Sequence, residues 1–198
     1  FEKSPLAKYI ANGKLPAAAD TAQKADMFAK SVEVLTAHQW HRLSNNHWRQ
    51  TNRERNIYNE LGKSACDCLA FGCGAGGRLK GYGFMMNRSL ADWSAGVDAG
   101  LKPVMVMTAP GPNWALLRTV SSDMESGAIN LPCISERFGV DVDALTREVT
   151  SQWEEAGLVT RTGDWLVQTV AGQFWHVTLA QLLVDLIGKA LRKEALAA

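Results

Sequence analysis

The sequence predicts an α/β layer followed by a smaller α+β module, and three observations carry that prediction. Residues 21–71 alternate an amphipathic helix, an apolar strand and a long polar loop, the rhythm of an α/β layer whose loops beyond the strand carboxyl ends build a site. A Pro/Gly cluster, "APGP" at 109–112, punctuates the chain and marks a domain boundary. Beyond it the order becomes three helical segments, a hairpin and a closing helix.

Each element has a local cause. Residues 1–20 read as a short amphipathic segment and a Pro/Ala-rich connection. Asp20 or Thr21 caps a helix running to about His38, with Phe28, Val32 and Leu35 on one face. "QWHRLS" (39–44) is a short strand, "NNHWRQTNRERN" (45–56) a polar loop, and "CDCLAF" (66–71) a strand apolar enough to be largely buried. "SLADWSAGVDAG" (89–100) is a helix capped by Ser89 and ended by Gly100, and "LKPVMVMTAPGP" (101–112) an extended crossing. In the second half, "NWALLRTVSSDMESG" (113–127) is a helix between Asn113 as cap and Gly127 as stop. "CISERFGV" (133–140) is a short helix, and "DVDALTREVTSQWEEAG" (141–157) a longer one. Thr162, Gly163 and Asp164 turn a hairpin within 158–169, and 171–198 is a closing amphipathic helix. That order is winged-helix-like, giving domains 1–112 and 113–198.

Composition excludes some functions. With 198 residues, 46% hydrophobic and 21% charged, the chain buries a real core. Its net charge of +1 sets up no field toward nucleic acid or an anionic membrane. No apolar stretch approaches the ~20 residues of a spanning helix, and no signal-peptide pattern opens the chain. Phe1 stands in place of methionine, and "FEKSPLAKYIANGKLP" reads like the middle of a longer polypeptide. Four cysteines in a chain this long do not make a disulfide scaffold, so a reducing cytoplasm is expected.

The stretch "DCLAFGCGAGGRLKGYGF" (67–84) holds six glycines and matches G-x-G-x-x-G at Gly72, Gly74 and Gly77. A dinucleotide site needs a helix directly after the glycines. Here "RLKGYGFMM" follows, and Gly81 and Gly83 oppose a helix. A tight strand-to-strand turn fits better, and a ligand approaching bare backbone remains compatible with it. Cys66, Cys68 and Cys73 lack C-x-x-C spacing or a nearby histidine, so buried structural thiols fit better than a metal site. His176, beside Phe174 and Trp175, reads as a packing residue; His38 and His41 straddle Trp40. Loop 45–56 joins His47 and Trp48 to Arg49, Arg53 and Arg55. It is either a clamp for carboxylates on a flat ring system or a solvated loop partnered by Glu54 and Glu60. As a winged-helix nucleic-acid module the second half fits poorly. Its groove-entering helix carries Asp143, Glu148, Glu154 and Glu155 against Arg147.

"CDCLAFGCGAGGRLKGYGFMMNRSLADWSAGVDAG" resembles the end of the barrel in radical S-adenosylmethionine enzymes of the oxygen-independent coproporphyrinogen III dehydrogenase group. "SNNHWRQTNRERNIYN" with "GAGGRLKGYGFM" is similar to the branch that degrades haem anaerobically, the radical methyltransferases that make anaerobilin. "TVAGQFWHVTLAQLL" resembles the closing Thr-x-x-Gly helix of the group's C-terminal domain. The resemblance implies the C-terminal part of a (β/α) radical-SAM barrel over 1–112 and a winged-helix-like domain over 113–198. It implies S-adenosylmethionine and a [4Fe–4S] cluster in the full-length parent. The C-x-x-x-C-x-x-C cluster motif is absent from this sequence, so the resemblance also implies that the fragment alone is inactive. It places Gly74, Ala75 and Gly76 along the cofactor and His47, Arg49, Arg53 and Arg55 on the substrate side, and assigns no catalytic residue. The implied reaction is haem methylation with ring opening and iron release, with haem or a related tetrapyrrole as partner and flavodoxin or ferredoxin as electron donor. Alternatives are a coproporphyrinogen III dehydrogenase-like enzyme, a haem chaperone, or a winged-helix binding module.

Overall fold

The computed structural model describes residues 4–63 and 66–197. The first three residues of the expected N-terminal segment and the last of the expected closing helix lie outside that range. Helix α1 (Pro5–Ala11) begins at Ser4, whose hydroxyl accepts from the Ala7 N–H at 3.2 Å. Helix α2 (Thr21–Ala37) begins in a capping box. The Asp20 carboxylate accepts from the Gln23 N–H at 2.8 Å, and Gln23 Oε1 accepts from the Asp20 N–H at 2.9 Å. Its Phe28 meets Phe174 with ring centroids 5.9 Å apart, which fastens this helix to the far end of the chain.

The polar loop expected at 45–56 is partly a strand. β1 (His41–Ser44) and β2 (His47–Arg49) form an antiparallel hairpin with His41 opposite Arg49. Three alternating residues are too few for periodicity to reveal. After α3 (Ile57–Lys63), the strand expected at 66–71 is absent. A single bridge remains, Cys68 to Arg78, with N–H to O distances of 2.8 and 2.7 Å. Nor is the segment buried, since Leu69 is 58% and Phe71 84% exposed. Its apolar composition was read as burial, but of these residues only Cys68 and Ala70 are even half-buried.

β3 (Gly76–Leu79) and β4 (Tyr82–Met86) form the next hairpin. Lys80 (φ 49°) and Gly81 (φ 82°) both hold the positive φ that a two-residue hairpin of matching twist requires. This is the tight turn that the glycine-rich sequence predicts. Ser89 caps α4 (Leu90–Asp98), and Gly100 follows it at φ +72°. β5 (Val104–Thr108) then pairs antiparallel with β4, giving the order β3-β4-β5.

α5 (Trp114–Ser126) ends on left-handed Gly127 as predicted. Asn113, expected to cap it, is itself left-handed (φ 58°) and makes no side-chain cap bond. β6 (Ala128–Asn130) was not foreseen. α6 (Leu131–Phe138) starts earlier than expected because Asn130 Oδ1 accepts from the Cys133 N–H at 2.8 Å. Pro132 is tolerated there, in the first turn. α7 (Val142–Glu155) is capped by Asp141. β7 (Val159–Thr162) and β8 (Trp165–Gln168) make the predicted hairpin, and β6 pairs with β8 to give the order β6-β8-β7. The single closing helix is two, α8 (Val170–Phe174) and α9 (His176–Ala197), parted at Trp175. The Thr-x-x-Gly motif is a cap. Thr169 Oγ1 accepts from the Gly172 N–H at 3.2 Å and donates to Gly157 O at 2.7 Å.

The core lies in the second half, where Leu116, Val120 and Met124 of α5 pack with Leu183 and Ile187 of α9. Among the described residues before Asn113, Met86 is the only buried hydrophobic side chain. The expected mixture of helices and sheets is present, and among the described residues every sheet is antiparallel. Strand direction is invisible to a pattern of periods, because reversal depends on the path of the connection. The halves are joined by buried Asn45, whose Nδ2 donates to Met124 O and to Gln168 Oε1, both at 3.0 Å.

Candidate functional site

The strand register places Gly76, Arg78, Gly83, Met85, Val106 and Thr108 on one face of the β3-β4-β5 sheet. A groove of about 540 Å³ lies over that face, walled by Tyr58 and Gly62 of α3 and by Arg88. Its floor is apolar, and its cations stand at the rim. The Arg78 guanidinium lies 5.3 Å from the centre of the Trp114 ring. The Arg88 Nε contacts Met85 Sδ at 3.2 Å. Behind the Arg78 end, Arg118 donates from Nη2 to Gly62 O at 2.7 Å, so α5 and α3 share this wall. Burial lowers the Arg118 pKa, the positive charge of Arg78 lowers it further, and Glu125 draws it back up.

Of the residues expected along a cofactor, Gly76 faces this groove. Gly74 and Ala75 form the turn leading into it. The Gly74 N–H donates to Asn87 O at 2.7 Å, and Ala75 O accepts from the Met86 N–H at 2.9 Å. The glycines differ in what requires them. Gly72 and Gly74 hold φ of +103° and +70°, a region that side chains disfavour. Gly77 is held by packing, since a Cβ there would sit 2.5 Å from the Phe84 ring and 2.8 Å from Cys68 O.

The expected substrate-side residues lie on and after the β1-β2 hairpin. His47 and Arg49 share a face of β2, while Arg53 and Arg55 are exposed in the turn that follows. His47 is held at both ring nitrogens. Asn59 Nδ2 donates to Asn56 Oδ1 at 2.6 Å and lies 3.3 Å from His47 Nε2, which therefore accepts. Nδ1 then carries the proton and donates to Ser44 Oγ at 2.9 Å. Ser44 and Asn59 also line a polar hollow of about 200 Å³ with Glu60, Ser122 and Ser126. Arg49 Nε is buried with no hydrogen-bond partner among the described residues. The Glu54 carboxylate accepts from the Asn56 N–H. Trp48 is covered by Arg42, 4.3 Å from its ring centre, and burial lowers the Arg42 pKa.

The cysteines are not the buried set that the sequence led one to expect. Cys66 and Cys133 are exposed, and Cys68 and Cys73 are half-buried. Cys73 Sγ donates to Asn87 O at 3.2 Å. Among the described residues no three His, Cys, Asp or Glu side chains gather closely enough to hold a metal. His176 donates from Nδ1 to Gln173 O at 2.8 Å and so stitches the α8-α9 joint. Sequence reasoning missed Arg78, Arg88, Tyr58 and Arg118. The available signal was the alternation Gly76-x-Arg78 and Gly83-x-Met85, which puts glycine beside a cation and an apolar chain on one sheet face.

No protein-family model matches the chain. It is 34% identical over 188 residues to the anaerobilin synthase of Escherichia coli O157:H7, an alignment covering 94% of this chain and 41% of that protein. The solved structure of the coproporphyrinogen III oxidase of Escherichia coli, described as a radical SAM enzyme, matches with a TM-score of 0.65 at 15% identity. That match covers 83% of this chain and 42% of the other, and at such identity it speaks for the fold alone. The chain therefore spans about two-fifths of the length of each. Both comparisons agree with the resemblance that the motifs carry: in sequence the chain is similar to part of an anaerobilin synthase, and in fold to part of a radical SAM coproporphyrinogen III oxidase.

Proposed function

We propose that this chain is the C-terminal portion of an anaerobic haem-degrading radical SAM C-methyltransferase, with residues 1–112 ending its barrel and 113–198 forming a winged-helix-like domain. The observation that carries the proposal is the 34% identity to an anaerobilin synthase over 94% of the chain. The domain reading is supported by the run α5-β6-α6-α7-β7-β8, in which β6 pairs with β8.

The described residues do not fit the iron–sulfur cluster, since no group of three ligand side chains exists among them. They do fit the approach of an adenosyl group at Gly76, where the groove floor carries no side chain. When bound, S-adenosylmethionine with its cluster supplies the radical and the methyl group. The work proposed for this chain is positioning. Gly74, Ala75 and Gly76 present bare backbone to the cofactor, while His47, Arg49, Arg53 and Arg55 lie toward the substrate. A flavodoxin or ferredoxin serves as electron donor in the cytoplasm; no helix among the described residues is long and apolar enough to cross a membrane.

The test is an anaerobic incubation of the full-length protein with haem, S-adenosylmethionine and a one-electron reductant. The expected result is a methylated, ring-opened tetrapyrrole by mass spectrometry, with iron released to a chelator in step. Decarboxylation of coproporphyrinogen III with haem untouched identifies the dehydrogenase-like alternative instead. Haem bound and handed on unchanged identifies a chaperone.

A further inference from the structure

Gly76 and Gly83 stand in regular strands where neither conformation nor packing demands glycine. Neither has a positive φ. A Cβ at Gly83 would meet nothing within 4 Å, and one at Gly76 nothing nearer than Phe84 O at 4.0 Å. Gly77, next along the same strand, shows what a packing requirement looks like, because a Cβ there would strike the Phe84 ring. Glycine inside a strand forfeits side-chain packing, and its usual use there is to let another group come close. Both open glycines lie on the face that forms the groove floor, with Met85 and Val106 beside them. The groove's volume, about 540 Å³, lies within the range of pockets that take organic ligands.

The rim carries charge of one sign. Arg78 lines the groove with its guanidinium against Trp114, and Arg118 stands one helical turn beyond Trp114, bonded to the groove-lining Gly62. Arg78 repels Arg118 strongly enough to help lower its pKa. An anion at this end relieves that repulsion. Arg88 supplies the second rim cation, beside Met85. An apolar floor with room above it and guanidinium forks at the edge is complementary to a flat apolar ring that bears carboxylates.

We infer that this groove seats the ring of a carboxylate-bearing macrocycle over Gly83, beside the cofactor end at Gly76, with Arg78 and Arg88 taking its carboxylates. The inference rests on the tetrapyrrole reading for the identity of the ring. It moves the carboxylate anchor from the loop arginines to the sheet.

The test titrates the full-length protein with hemin and with hemin dimethyl ester, following tryptophan quenching, and measures equilibrium binding of S-adenosylmethionine alongside. Arg78→Gln and Arg88→Gln are each expected to weaken hemin binding about tenfold and to leave the already weak binding of the ester unchanged. Arg78→Lys recovers part of the loss. Gly83→Leu, whose Cβ stands in open space and whose side chain projects from the groove floor, weakens hemin and ester alike while the melting temperature holds. Parent-like hemin binding by Arg78→Gln, Arg88→Gln and Gly83→Leu overturns the inference. So does an ester that binds as tightly as hemin, or an Arg78→Gln defect confined to S-adenosylmethionine. If only the Arg49, Arg53 and Arg55 variants lose hemin, the groove assignment fails and the tetrapyrrole reading stands. A parent protein that binds no hemin sinks both.

Discussion

Asn45 is a buried polar side chain at which the two halves of the chain meet, alongside the Phe28–Phe174 and Arg118–Gly62 contacts, and Asn45→Ala measures its share of that joint. The residue is 1% exposed, and its backbone N–H donates to Glu125 O at 3.0 Å, a bond that alanine keeps. The substitution removes the Nδ2 bonds to Met124 O and to Gln168 Oε1. Met124 O retains a second donor, Gln168 Nε2 at 2.8 Å. Gln168 is 3% exposed, so its Oε1 is left buried without that donor. Asn45 Oδ1 has no hydrogen-bond partner among the described residues, and its removal relieves a small part of the cost. A net hydrogen bond contributes about 1 kcal/mol and a stranded buried acceptor costs about 1–3 kcal/mol, so the loss should be about 2–3 kcal/mol. For a chain of this size that lowers Tm by roughly 5–10 °C. Urea unfolding of the parent, Asn45→Ala, Gln168→Ala and the double variant completes a cycle. A coupling energy of about 1 kcal/mol or more is expected. If both single variants lie within about 0.5 kcal/mol of the parent and add, the network does not fasten the halves and the account is wrong.

Three further outcomes are expected. Gly77→Ala, whose Cβ meets the Phe84 ring and Cys68 O, should lower stability by about 1–3 kcal/mol in urea melts. Gly172→Ala, whose Cβ would run into the Leu158 carbonyl, should cost more; Gly83→Ala, in open space, serves as the silent control. Burial raises the Asp123 pKa above its ordinary 3.8, with Arg137 opposing the shift. The native state thus keeps a proton that the unfolded chain has released, and this group's contribution to stability falls as pH rises from about 3.8 through the raised value. Asp123→Asn should abolish that slope and stabilise at pH 7; equal pH dependence of urea midpoints in both proteins contradicts the assignment. Anaerobic reconstitution of the chain alone should yield no stoichiometric [4Fe–4S] cluster by iron and sulfide analysis, because its cysteines lack the C-x-x-x-C-x-x-C spacing.

The sequence by itself determined several helix starts, the tight turns and the likeness to known proteins. Asp20 and Ser89 cap where they were expected to, and Gly127 and Gly163 take the positive φ that ends a helix or turns a hairpin. These are energies between residues a few positions apart, so a window of sequence contains both partners. The motif around the glycine turn pointed to the same anaerobilin-synthase likeness that the sequence comparison finds, because it is contiguous. What only the tertiary structure decided is every relation between distant segments. β5 returns antiparallel beside β4, β6 lies against β8, and Asn45 reaches Gln168 across 123 positions. The groove exists because register, not sequence order, sets Gly76, Arg78 and Gly83 over Val106 and Thr108. Register is settled by which side chains gain burial together, a sum over residues from separate segments that no local pattern contains. Phe71 marks the same limit from the other side: its apolarity was legible, but whether a neighbour covers it was not, and it stands 84% exposed.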